Sequence, residues 1–330
     1  MHTSHRAPYP GGAITDALRR QQPLLILGVL LAAWALQSQA IRWTDTPAMR
    51  TWATVFVAII VQALPFLVGG VLLAASISSL LSDRVLRRVV PRNPVLAVPV
   101  AGLAGVALPG CECASVPVGG GMMRRGVTPA AALTFVLAAP AVNPVVLVTT
   151  AVAFPGEPAM VLARFLASLA VAVGVGWIWV AVGGRLPMRE QRAPHQAHGL
   201  RGFLLTAQHD LVHTGGFLVL GAMVAASVNI FLPTAWLDAV ADRLWLSVLA
   251  LAIFAFVIAM CSEADAFVAA SMAGFSPIAQ LVFMVVGPAA DVKLSLLHAG
   301  QFGRAFALRF VPLTFAVAVG SAVLVGWWLL

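Results

Sequence analysis

The sequence predicts an all-α, polytopic membrane protein built from a repeated unit, and three observations carry that prediction. Hydrophobic residues make up 61% of the 330 positions and charged residues only 10%, with a mean hydropathy of +0.95. A soluble domain cannot be that apolar, because its surface has to face water. Long windows are nearly free of charge, among them Ala53–Leu81, Thr128–Phe154, Ala167–Val182, Leu244–Met260 and Phe306–Leu330. Helix rises 1.5 Å per residue, so such windows suit a hydrocarbon core about 30 Å thick. A β-barrel would show short segments of alternating polarity instead.

The third observation is internal repetition. FLVGGVLLAASI (66–77) and FLVLGAMVAASV (217–228) agree at seven of twelve positions, at an offset of 151. The same offset places Glu112 on Glu263. GVTPAAALTFVLAAPAVN (126–143) aligns with GFSPIAQLVFMVVGPAAD (274–291) at an offset of 148, sharing the glycine, both prolines, Leu133/Leu281 and Phe135/Phe283. AVAVG recurs at 170–174 and 316–320, and Arg164-Phe165 recurs as Arg309-Phe310. Ordered matches in successive blocks indicate a duplicated unit of about 150 residues.

Each unit reads as four parts: a long helix (52–81; 203–231), an apolar stretch broken at a cysteine motif (94–123; 245–273), and two further helices (127–153 and 159–183; 277–299 and 305–329). The domains follow: residues 1–51 a cytoplasmic tail and first transmembrane helix, 52–183 repeat 1, 184–202 a cytoplasmic linker, and 203–330 repeat 2. Arginines then orient the chain. They cluster in the tail (Arg6, Arg19, Arg20) and in loops 82–93 and 184–202, which are expected on the cytoplasmic side. Loop 154–158, with Glu157, and loop 232–243 are expected outside. Arg124-Arg125 directly follow the broken stretch. If they too are cytoplasmic, that stretch leaves and returns on one side as a re-entrant hairpin. Each repeat then crosses three times, so the second copy is inverted, giving seven full crossings and two hairpins. Arg19-Arg20, the apolar run Leu24–Leu36 and Ser38-Gln39-Ala40 also fit a signal peptide. A retained first helix is the reading adopted.

The chemistry concentrates at the hairpin tips. The first tip is Pro109-Gly110-Cys111-Glu112-Cys113 and the second is Cys261-Ser262-Glu263-Ala264-Asp265. Non-helical backbone at membrane depth survives only inside protein or lining a cavity. A charge there costs about 2.5–3.5 kcal/mol on insertion scales. A two-fold relation between repeats would bring three thiols and three carboxylates together. Thiolates are soft ligands that suit soft metals and trivalent metalloids, and Glu112, Glu263 and Asp265 could carry protons. Half-helix ends aimed at the tips could also hold an anion. The bland alternative for each cysteine is a small packing residue. Intramembrane carboxylates have no such structural excuse. The substrate-site candidates are therefore Cys111, Glu112, Cys113, Asn143, Cys261, Glu263, Asp265 and Asp291. Asp291 could instead simply pair with Lys293, the one lysine in the chain.

Other features read as structural. Arg164 and Arg309, at symmetric positions, are expected to snorkel to opposite surfaces. His209 and His213 have a zinc-compatible i, i+4 spacing but read as solvated residues at a membrane edge. His195 and His198 read as inert. Gly119–Gly121 lacks the lysine and hydroxyl of a phosphate loop. Three cysteines, two of them at i, i+2, give no disulfide framework. The net charge of +8 is read as topology and lipid contact, not nucleic-acid binding.

At these residues the chain resembles the predicted-permease family that includes the ArsP-like organoarsenical efflux permeases. The resemblance is carried by Pro109-Gly110-Cys111-Glu112-Cys113-Ala114-Ser115-Val116-Pro117, Arg125-Gly126, Phe135, Pro140-Ala141-Val142-Asn143-Pro144, and Cys261, Ser262, Asp265 and Ala266. It covers roughly residues 50–330. Glu112 and Ala114 stand where the family usually has a small residue and a glycine. The resemblance implies a permease with no enzymatic activity and no cofactor. It would sit in the inner (plasma) membrane as a multi-pass protein and touch lipid and a small-molecule or metalloid solute. The specific expectation is proton-coupled efflux of a small thiophilic or anionic solute of the trivalent organoarsenical kind. A membrane dithiol redox protein and a scaffold subunit of a membrane complex are the alternatives, and homo-oligomerisation is left open.

Overall fold

The computed structural model describes residues 46–79, 91, 93–107, 111–182, 199–230 and 243–330. The expected first helix at Leu24–Leu36, Pro109-Gly110 of the first tip, and most of the arginine-bearing loops lie outside these residues. Contacts divide the chain into two units, residues 1–51 and 52–330. The packing below is that of the second unit.

The described residues are all-α, without a strand. α1 runs Pro47–Ser79, α2 Pro94–Ala104 with a short 3-10 turn Gly105–Ala107, α3 Glu112–Arg124, α4 Pro129–Ala138, α5 Pro144–Ala153 and α6 Pro158–Val182. The order then recurs as α7 Gly199–Ile230, α8 Leu244–Ile258, α9 Asp265–Ser271, α10 Pro277–Ala289, α11 Val292–Phe302 and α12 Arg304–Leu329. Proline opens α1, α2, α4, α5, α6 and α10, where its missing N–H would be unpaired anyway. Asn93 caps α2 by accepting from Val95 N at 3.0 Å, and Ser276 caps α10 by accepting from Ala279 N at 3.3 Å. Gly303 joins α11 to α12 at φ 101°, a left-handed turn that a side chain would strain.

The third part of each repeat is discontinuous. In the first copy the chain leaves helix after Ala138 and resumes at Pro144; in the second it breaks between Ala289 and Val292. Asn143 and Asp291, equivalent at the offset of 148, are the caps that restart it. Asn143 Oδ1 accepts from Val146 N at 3.0 Å, and Asp291 Oδ1 from Leu294 N at 2.5 Å.

Among the described residues, five helices are long and apolar enough to cross a membrane: α1, α6, α7, α10 with α11, and α12. Their lipid-facing sides are apolar, with Val61, Leu204, Leu308, Leu324 and Trp328 exposed. The break between α4 and α5 leaves two ten-residue helices, so the sixth expected crossing is no single span. The core is made of α4 and α10, one from each copy, buried along nearly their whole length. α6 and α12 pack together beside them, with Trp179 edge-on to Phe306 at 5.2 Å. Across the two copies, α3 packs on α11, and α5 packs on α9. The arm after each broken tip therefore touches the second half of the other copy's broken helix.

Candidate functional site

The two tips use one backbone device. The Cys111 carbonyl accepts from Ala114 N at 3.0 Å and Ser115 N at 3.3 Å, and the Cys261 carbonyl accepts from Ala264 N at 3.0 Å and Asp265 N at 3.2 Å. Each cysteine thus stands where non-helical chain turns into helix. Glu112 is the first residue of α3 and Asp265 the first of α9. A carboxylate at that position lies along the favourable end of the helix dipole.

Both helix-opening carboxylates are buried and clasped by a cation from the other copy. Lys293 Nζ donates to Glu112 Oε1 at 2.6 Å and lies 3.9 Å from Asp291 Oδ2. Arg164 Nη2 donates to Asp265 Oδ1 at 2.7 Å, to Asp265 Oδ2 at 2.8 Å and to the Ser262 carbonyl at 2.9 Å. Its Nη1 donates to Thr150 Oγ1 at 2.8 Å. Arg164 and Lys293 are the two fully buried basic residues among those described. Removing one partner of such a pair strands the other charge out of water. Satisfaction is incomplete at both clusters: Glu112 Oε2 and Asp291 Oδ2 at the first, and Arg164 Nε and Ser262 Oγ at the second, have no hydrogen-bond partner among the described residues.

Arg164 therefore does not snorkel. It turns inward because Asp265, Ser262 and Thr150 supply acceptors for its guanidinium, whereas Arg309 is exposed as expected. Lys293 belongs to the first cluster: it pairs more closely with Glu112 than with its neighbour Asp291. A lone lysine in an apolar chain was the signal available for it; the role of Arg164 had none, since its partner lies 101 residues away. A third pair, Arg124 Nη2 to Asp210 Oδ2 at 2.5 Å, ties the end of α3 to α7. His209 and His213 stack at 6.0 Å beside it.

Of the other candidates, Cys111, Cys113 and Cys261 are free, buried thiols. Cys111 is the N-cap of α3 and Cys113 its second residue, and Cys261 lies within electrostatic range of Cys111, Glu112 and Lys293. Glu263 is half-buried and within range of Glu112, Lys293 and Arg164. Among the described residues no three His, Cys, Asp or Glu side chains converge as a metal-holding group. Asn143 is buried and its carboxamide is engaged: besides capping α5 it donates to the Ala139 carbonyl at 2.9 Å. A cavity of about 250 Å³ adjoins the second tip, lined by Val55, Ala58, Ile59 and Gln62 of α1, Ile258–Cys261, Ala264 and Lys293. Ala259, on its wall, adopts φ 51°, a left-handed conformation costly for a residue with a Cβ and typical of functional turns.

Residues 48–327 match the ArsP_1 family, described as predicted permease. The chain belongs to this family. It is 31% identical over 281 residues to the UPF0718 protein YcgR of Bacillus subtilis, covering 82% of this chain and 96% of that one. It is 28% identical over 282 residues to a Streptococcus mutans protein named for a subunit of a two-component membrane permease complex, covering 82% and 94%. No solved structure matches it. Family and apolar helices together make it a multi-pass membrane permease, consistent with the plasma membrane.

Proposed function

We propose that this permease exports a small thiophilic solute of the trivalent organoarsenical kind, in exchange for protons, through a site between the two broken tips. The observation that carries the reading is the crossed clasp. Glu112 and Asp265, each opening a helix after a thiol-bearing break, are held by cations of the opposite copy. Cys261 and Lys293 border the adjoining cavity. Thiols offer exchangeable bonds to a soft centre, and transport needs binding that also releases. Charges held across two packed halves give those halves something to exchange when they move. The matched element order and the reciprocal packing of α3 on α11 and α5 on α9 support two copies of opposite orientation. In that arrangement the tips are re-entrant and a first helix within residues 1–51 supplies the seventh crossing.

Purified protein in proteoliposomes tests this. Trivalent phenylarsenite should accumulate when an inward-to-outward proton gradient is imposed and not without protein. Absence of protein-dependent movement sinks the reading. Reporter fusions at residues 193 and 330 should report opposite sides of the membrane; the same side removes the inversion.

A second reading, a small anion as solute, is favoured by Lys293 on the cavity wall. The Streptococcus mutans relative's name further suggests that this chain works with a partner subunit.

A further inference from the structure

The cavity wall also carries the polar side chain of Gln62. Gln62 lies at the middle of the 33-residue α1, at a depth where a carboxamide facing hydrocarbon would be costly. It is exposed, and it lines the cavity together with its neighbours on α1. Val55, Ala58, Ile59 and Gln62 recur at i, i+3, i+4 and i+7, which is one helix face, and all four line the cavity. The opposite wall is the second tip, from Ile258 to Ala264, and it carries the Cys261 thiol and the strained Ala259. Lys293 contributes the ammonium. One small chamber thus combines a soft nucleophile, a cation, a neutral donor-acceptor and apolar surface from α1.

We propose that Gln62 is a solute-contact and specificity-determining residue, which selects solutes whose thiophilic centre also bears a hydroxyl or oxyanion oxygen. This rests on the export reading above and assigns the division of labour within that site. For a centre R–X(OH)2, the Cys261 thiol displaces one hydroxide. The X–S bond forms, one X–O bond breaks, and the thiol proton leaves with the hydroxide as water. The remaining oxygen is the group that distinguishes such a solute from a plain soft cation. A carboxamide can both donate to it and accept from it. Lys293 donates only, and it is already engaged by Glu112 at 2.6 Å. The R group lies against Val55, Ala58 and Ile59. Glutamine suits the task because it reads an oxygen without adding a third carboxylate beside Glu112 and Asp291.

Two measurements test the proposal on the full-length protein. In the first, Gln62→Cys is made in a background with Cys111, Cys113 and Cys261 replaced by alanine. The new thiol is exposed to a water-soluble, membrane-impermeant thiosulfonate. Reaction is expected. A thiol inert to that reagent faces lipid and overturns the proposal. In the second, Gln62→Leu is made in the otherwise native chain and phenylarsenite transport is followed in proteoliposomes. KM should rise about tenfold with kcat within twofold, the loss of one hydrogen bond at binding, and Gln62→Asn should recover part of it. An unchanged KM overturns the proposal. If no variant, including the native protein, moves phenylarsenite, the export reading fails, and the labelling result still decides whether Gln62 faces the chamber.

Discussion

The two copies of the repeat carry the same backbone plan and opposite charge plans. Where the second copy has Asp291 and Lys293 at its helix break, the first has Asn143 and Val145 at the equivalent places. Where the first copy buries Arg164 against Asp265, the second leaves Arg309 exposed. Among the described residues, each copy thus gives one fully buried cation, at a different station, to the other copy's tip. The two clasps are unlike in chemistry: an ammonium on Glu112 and a guanidinium on Asp265.

Removing a cation should therefore have the largest effect. Lys293→Ala strands Glu112 and Asp291 together without a counter-ion. Folded yield in detergent should collapse, with a loss of about 3–5 kcal/mol where it can be measured. The triple variant Lys293→Met with Glu112→Gln and Asp291→Asn should recover much of it, since no bare charge remains in that cluster. If the single variant melts like the native protein, the clasp is not holding the halves.

The paired arginines sharpen the contrast. Arg164→Met should destabilise by several kcal/mol, because Asp265 loses both hydrogen bonds and the Ser262 carbonyl loses its donor. Arg309→Met should stay within about 0.5 kcal/mol. Equal melting shifts would mean that the symmetric snorkelling expected from sequence was the better description.

That error shows what the sequence could reveal. The helical membrane class was legible because apolar runs and prolines are local signals. The cap role of Asn143 was partly legible from its place before Pro144. The pairings Lys293–Glu112 and Arg164–Asp265 were not, because they join residues 181 and 101 positions apart and depend on which way a long side chain turns. Sequence symmetry even misled, since it treated Arg164 and Arg309 as equals while acceptors exist for only one. Gln62 was passed over because one polar residue in a long apolar helix draws no attention until the opposite wall is known.

Helix approach gives an intermediate contrast at another equivalent pair. A Cβ on Gly70 would lie 2.6 Å from Ala114 Cα, at the start of α3, whereas one on Gly221 would lie 3.0 Å from Lys293 Cα. The former requires backbone to move; the latter asks for a few tenths of an ångström. Gly70→Ala should cost about 1–3 kcal/mol, and Gly221→Ala clearly less, by thermal unfolding in detergent. A reversed order would show that α11 is held more rigidly than α3.

The smallest effect on stability is expected from making the second copy resemble the first. Asp291→Asn keeps the cap, because an asparagine oxygen accepts from Leu294 N as Asn143 accepts from Val146 N. It also removes one of two carboxylates beside Lys293, and the one it removes is 3.9 Å away and not hydrogen-bonded to the ammonium. Lost attraction and relieved repulsion oppose each other, so the melting temperature should move by less than the equivalent of about 1 kcal/mol. Asp291→Ala, which loses the cap too, should cost about 1 kcal/mol more. Transport is where the two roles of Asp291 separate. If its charge takes part in coupling, Asp291→Asn leaves a stable protein whose phenylarsenite transport no longer follows the proton gradient. If the asparagine variant transports with native gradient dependence, Asp291 is a helix cap like Asn143, and the charge difference between the copies serves the clasp alone.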